Sequence, residues 1–384
     1  MSLSFVTNLG SLYDSTRRYL IRLLRSLAAR LETPDEAVVD LAIASGQRMA
    51  CARIAIDLDI YEHLVKKSPR TVAELAKVTD AEEQLLSRLL RALAAMKWIR
   101  EVGLAKFAAS PITYFMTKPN VRAGYIHWYD QGLPTIANMP FYFRDNSYRT
   151  PSTPTYGPLQ HAFDTSLESY TYWSTIPGVY SNFNTFMQGH FSGKRLDWLS
   201  WFPLEKVVSE GFDETQSEYL FVDVGGGRGH QAQAVRTRCK DVKGKVVLED
   251  LPGVIGDAGE IDGDIVKVKQ DFFEKNQIQG ARCYYLAHIL HNWPNPSCVT
   301  ILSKLRGAMI PGYSRLLICD LILPDTGVSQ REAALDWGML TLHSGMQRSK
   351  RQWTQLVEEA GLTVVKFWTP PGEGDGIVEC VRDE

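Results

Sequence analysis

FVDVGGGRGHQAQAV, residues 221–235, sets glycines at 225, 226, 227 and 229 between strand-forming residues and a helical pattern. Glycine at the carboxyl end of a strand lets the backbone come close to a ligand there. The spacing is GxGxG rather than the GxGxxG of dinucleotide folds, and no lysine follows to clamp a nucleotide phosphate. Asp223 precedes the loop. VVLEDLP, residues 246–252, ends a second strand on Glu249 and Asp250, where a carboxylate can accept both hydroxyls of a ribose. VKQDFFE, residues 268–274, ends a third on Asp271 and Phe272, an acid and an apolar group suited to an adenine ring. An adenosine bearing a sulfonium and an amino acid fits this set, which points to S-adenosylmethionine.

Around the loop the C-terminal half alternates strands and helices. YLFVDV, GKVVLED, IVKVKQDF, ARCYYLAHI, SRLLICDLIL, TVVKFWTP and GIVECVRD read as seven strands. Alternation of this kind predicts an α/β fold with a mainly parallel sheet covered on both faces. The last two strands lie close enough for a hairpin, placing an antiparallel strand at or beside one edge.

The chain of 384 residues exceeds what one core usually serves. We divide it into a helical arm (1–36), a winged-helix and substrate-wall region (37–204) and the cofactor-binding domain (205–384). A net charge of −2 offers no polybasic footprint for nucleic acid or anionic lipid. The six cysteines form no CxxC pair or Cys/His cluster and read as buried thiols. Arginines interrupt the apolar positions of the first 31 residues, against a signal peptide, and no segment approaches the roughly 20 apolar residues of a membrane span. A cytoplasmic enzyme is expected. Leu12, Leu20, Leu23, Leu24, Leu27 and Leu31 recur at helical spacing and suit an arm that clasps a second subunit.

RTVAELAKVTDAEEQLLSRLLRALAAMKWIREVGLAKFAAS, residues 70–110, reads as helix, turn, helix and wing. Thr71 is expected to cap the first helix and Asp80 the second, with Leu85, Leu86, Leu89, Leu90 and Leu93 facing inward. Asp80, Glu82 and Glu83 would repel phosphates from a recognition helix, so this unit is not read as a DNA reader. The aromatic residues concentrated between 119 and 205 suit the wall of a pocket for a flat apolar metabolite.

Taken together, DVGGGRGH, LEDLPGVI, QDFF, HILHNWP and LTLHSGMQRSKRQW resemble the fungal branch of the plant-type small-molecule O-methyltransferases, over roughly residues 37–384. The resemblance implies a Rossmann-like class I methyltransferase domain with a winged-helix dimerisation domain, an intertwined homodimer, and S-adenosylmethionine without a metal. It places Gly225, Gly227, Asp250, Leu251 and Asp271 at the cofactor, with Phe272 and Trp293 flanking adenine. His291 takes the place of the histidine that removes the proton from a substrate hydroxyl.

The carboxylates usual around that histidine are altered. Asn292 stands where the family has an acid, Gln347 where it has a glutamate, and Asp320 keeps a second acidic position in shortened form. An amide orients an imidazole but does not offset its positive charge; loss of an orienting carboxylate in a related arrangement costs about 10⁴ in rate. The resemblance also brings in a subgroup that keeps the fold and cofactor but catalyses dehydration and Alder-ene or Diels-Alder closure of polyketide-derived substrates. His127 sits where that subgroup contacts substrate. On these grounds a cofactor-binding pericyclase is favoured, with O-methyl transfer by His291 as the alternative.

Overall fold

The computed structural model describes residues 16–17, 19–21, 23–191, 197–256, 261, 263–372 and 374–383. The chain divides into one unit of residues 1–130 and 178–193 and a second of residues 131–177 and 194–384.

In the first unit, helices Val72–Thr79 and Glu83–Ala95 lie in the chain between the first and second strands of a small antiparallel sheet of β1 (Arg70–Thr71), β2 (Ile99–Gly103) and β3 (Lys106–Ala109), in the order β1-β3-β2. Thr71 caps its helix as expected. Its hydroxyl accepts from the Glu74 N–H, and the Glu74 carboxylate accepts from the Thr71 N–H. Asp80 does not start the second helix. It closes the first in a left-handed conformation (φ 54°), which a short polar side chain tolerates. Leu86, Leu89, Leu90 and Leu93 are buried, each contributing roughly 1.5–3 kcal/mol, whereas Leu85 is exposed. Position 85 lies one step off the stripe set by 86, 89, 90 and 93.

Residues 16–31 are helical where described, and Leu20, Leu23, Leu24, Leu27 and Leu31 are exposed. Leu12 lies outside the described residues. Helix Pro119–His127 packs closely on helix Val179–Phe191. A Cβ on Gly124 would come within 2.4 Å of the Phe186 ring.

The second unit is built on β4 (Tyr219–Val224), β5 (Lys245–Asp250), β6 (Ile265–Lys269), β7 (Cys283–Ala287), β8 (Arg315–Asp320), β11 (Thr363–Trp368) and β12 (Gly376–Val381). The order is β11-β12-β8-β7-β4-β5-β6. Only β12 runs against its neighbours, inside the edge strand β11. A two-residue parallel pair, β9 (Ile322–Leu323) with β10 (Arg348–Ser349), lies beyond the end of β8.

Alternate strand residues serve opposite faces. Val222, Tyr284, Leu316 and Val378 pack with helices Asn295–Ala308 and Lys350–Glu359, while Phe221, Tyr285, Leu317 and Ile377 pack with Trp198 and Phe202. In β4, β5, β7, β8 and β12 both faces are buried, which is why these strands read as near-continuous apolar runs, while the edge strands β6 and β11 are largely exposed. All six cysteines are free, and all but Cys51 are buried. No helix among the described residues is long and apolar enough to cross a membrane.

Candidate active site

β4 pairs with β5 on one side and β7 on the other, so strand order reverses at β4 and opens a crevice at the carboxyl ends. The glycine loop leaves β4 there. Gly225 (φ 67°) and Gly227 (φ 60°) adopt left-handed backbone. A Cβ on Gly225 would come within 2.9 Å of Ile289, and one on Gly226 within 2.4 Å of the Asp223 carboxylate. A Cβ at Gly227 would meet nothing within 4 Å, so its bare backbone lines open space.

Asp250 fixes the loop from the end of β5. One carboxylate oxygen accepts the Gly227 N–H at 2.8 Å, and the other accepts the Leu251 N–H at 2.7 Å. Beneath it lie two buried acids. Asp223 accepts the Ala232 N–H at 3.1 Å, and Glu249 accepts from the Asn276 amide at 2.7 Å. Burial pushes both carboxyls up to about 7 and raises Asp250 as well.

Phe272 and Trp293 meet edge to face with ring centroids 6.0 Å apart. Phe272 also lies beside the position a Gly225 Cβ would take. Leu251 and Asp271 are exposed, Asp271 accepting the Phe273 N–H at 2.9 Å. A bare glycine loop, a half-buried carboxylate at the next strand end and an aromatic corner fit the ribose and adenine of an adenosyl cofactor.

His291 projects from the turn after β7. Its Nδ1 lies 2.6 Å from Oδ1 of Asp320, the last residue of β8, and Asp320 is fully buried. The acid kept at position 320 is the carboxylate that meets this histidine, whereas positions 292 and 347 carry amides. The Gln347 amide nitrogen reaches only 3.5 Å from Nδ1. An Nδ1–H directed at Asp320 has no lone pair for a second donor, so Gln347 adds packing rather than charge.

The amide at 292 has a separate use: its Nδ2 donates to the His288 carbonyl at 3.1 Å, which a carboxylate does not do. Asn295 accepts from Arg348 at 2.8 Å. His127 lies in the first unit, buried, its ring 5.4 Å from that of Phe183. Burial pulls its imidazole down to about 4, so it is neutral near pH 7.

Three groups escaped sequence reasoning. Arg348, fully buried, donates to the carbonyls of Leu290 at 2.9 Å and Trp293 at 3.1 Å, one on each side of the His291 turn. Asp336 accepts the Gln347 N–H at 2.7 Å and holds the same segment. A Cβ on Gly345 would fall 2.0 Å from the His291 carbonyl, so only glycine lets this segment lie against the turn. Distances of 50 or more residues along the chain hide the first and third from any local pattern.

The sheet, the reversal at β4 and the adenosyl-shaped edge define a class, that of S-adenosylmethionine-binding Rossmann-like enzymes with an N-terminal helical domain. A family model for the O-methyltransferase domain matches residues 161–363, and one for the O-methyltransferase dimerisation domain matches residues 44–116. The O-methyltransferase asqD of Emericella nidulans is 40% identical over 333 residues, 86% of each chain. The O-methyltransferase penC of Penicillium thymicola is 35% identical over 368 residues, 95% of this chain and 91% of its own.

Among solved structures, LepI in complex with S-adenosylmethionine superposes with a TM-score of 0.85 at 28% identity, covering 99% of this chain and 98% of its own. A pericyclic reaction enzyme gives 0.85 at 27% identity over the full length of both. The protein belongs to the O-methyltransferase domain family, is an enzyme of that fold, and takes S-adenosylmethionine as its cofactor.

Proposed function

We propose that the protein transfers a methyl group to a hydroxyl of an apolar, aromatic metabolite of secondary metabolism, with His291 as general base. The observation that carries this reading is the 2.6 Å contact between His291 Nδ1 and the buried Asp320 carboxylate. The contact directs Nδ1–H at Asp320 and leaves the lone pair on Nε2. As Nε2 takes the substrate proton the ring becomes a cation, and Asp320 offsets that charge where water screens little.

The bound cofactor supplies the methyl group on its sulfonium. Gly225, Gly227, Asp250, Leu251, Asp271, Phe272 and Trp293 hold its adenosyl part, and Arg348 fixes the turn that carries the base. The dimerisation-domain match and the exposed leucines from 20 to 31 support a homodimer.

A pericyclic reading has its own support in the likeness to LepI and the pericyclic reaction enzyme at 27–28% identity. There His291 would act as a hydrogen-bonding group toward a polyketide-type substrate, and the cofactor would not be consumed. Asp320→Asn separates the two readings. As an orienting acid, Asp320 supports methyl transfer by about 10²–10⁴ in kcat, with KM little changed. A variant that keeps wild-type kcat removes the base assignment.

A further inference from the structure

His288, the residue after β7, has φ of 56°, a left-handed backbone that costs a residue with a side chain roughly 1 kcal/mol or more. This conformation brings its ring beside that of His291, with centroids 5.6 Å apart. One nitrogen from each ring and a carboxylate oxygen of Asp320 all lie within 4.8 Å of one another. The cluster is sheltered, with side-chain exposures of 17% for His288, 14% for His291 and 1% for Asp320.

Two further observations point to a cation. The second oxygen of Asp320, Oδ2, is buried and has no hydrogen-bond partner among the described residues. Asp375 lies 3.3 Å from Nε2 of His288; with Nδ1 as the ligand atom, a carboxylate so placed fixes the tautomer and strengthens the histidine as a donor.

We infer that His288, His291 and Asp320 form a binding site for one divalent cation of the zinc, cobalt and nickel class, and that its occupancy silences His291 as a base. Two imidazoles and one carboxylate suit these borderline ions better than magnesium, which prefers oxygen and retained water. Ligand atoms around such an ion stand roughly 3.0 Å (octahedral) to 3.4 Å (tetrahedral) apart for bonds of about 2.1 Å. The His291–Asp320 pair, 2.6 Å apart, therefore opens by roughly 0.4–0.8 Å, or the free Oδ2 serves.

The silencing follows from electron count. A neutral imidazole has one lone pair; once the metal takes it, the other nitrogen keeps the ring proton and the ring accepts none from substrate. Only this second half of the inference rests on the base role proposed above.

The test is a cobalt titration of the full-length protein, followed by ligand-field absorption in the visible. One Co²⁺ per chain is expected, with binding weakened more than about tenfold in His288→Asn and several-fold in Asp375→Asn. Asparagine tolerates the left-handed backbone, and matching thermal unfolding of the variant excludes a folding defect. Absence of bands in the wild-type protein, or unchanged binding in His288→Asn, overturns the site.

In a parallel arm Zn²⁺ inhibits methyl transfer by the wild type, while His288→Asn keeps its own metal-free rate at the same Zn²⁺ concentration. Stimulation by Zn²⁺, or equal inhibition of both, overturns the silencing. Cobalt bands together with an absence of methyl transfer to any acceptor would count against the base role while leaving the site intact.

Discussion

Nδ1 of His291 meets a carboxylate, and that contact sets what Nε2 can accept. The residue types at 291 and 320 were legible from the motifs, but their pairing was not: 29 positions separate them, and only the adjacency of β7 and β8 brings them together. Positions 292 and 347 offer this histidine amides, and the sequence keeps an acid at 320 without showing that it reaches the ring. The structure gives Asn292 a donor's task at the His288 carbonyl and leaves the charge to Asp320.

The account therefore predicts that Gln347→Glu changes kcat less than about tenfold, because the charge partner is already present, while Asp320→Asn is severe. Steady-state kinetics on both variants check this. Below the glycine loop, Asp223 and Glu249 hold protons up to about pH 7, above their ordinary values of 3.8 and 4.5. Their contribution to stability is full at pH values below those ordinary values. It is lost as pH rises toward and through 7, at no more than about 1.4 kcal/mol per pH unit per group. Urea unfolding between pH 4 and 8 should therefore show a flatter dependence in Asp223→Asn than in the wild type.

At the scale of elements, the seven strands and the lone antiparallel one were readable because buried strands give apolar runs and turn residues punctuate them. The ends of helices were harder. Asp80 suits either a start or a left-handed stop, and only the backbone of the next turn decides. The segment 345–348 was invisible as a support, yet it holds the His291 turn through Gly345, Met346 and Arg348. The Met346 N–H donates to the His291 carbonyl at 3.0 Å, and the Arg348 guanidinium spans the carbonyls on either side.

Gly345→Ala sets a methyl group against that carbonyl and is expected to cost about 1–3 kcal/mol, with kcat falling more than KM rises. Arg348→Met leaves the buried Leu290 carbonyl and the partly buried Trp293 carbonyl without their donor and is expected to cost about 2–4 kcal/mol by denaturant unfolding. Unaltered unfolding midpoints in both variants would show that the turn stands without this support.

For the whole molecule, the wing unit leaves two apolar surfaces in one chain. One is the leucine stripe from 20 to 31; the other is a concavity of about 650 Å³ lined by Ala44, Met49, Cys51, Ala92, Met96 and Trp98. Apolar exposure on this scale suits subunit contact. Light scattering at micromolar concentration should report a dimer, and removal of residues 1–31 should weaken it. A wild-type monomer would contradict the assembly.

The chemistry itself is tested most directly by label transfer. The protein is incubated with methyl-deuterated S-adenosylmethionine and a panel of hydroxylated aromatic metabolites, and products are read by mass spectrometry. The account predicts a product carrying the labelled methyl, one equivalent of S-adenosylhomocysteine per product, and loss of both signals in His291→Ala. A dehydrated or isomerised product formed with the labelled cofactor recovered unconsumed would contradict it.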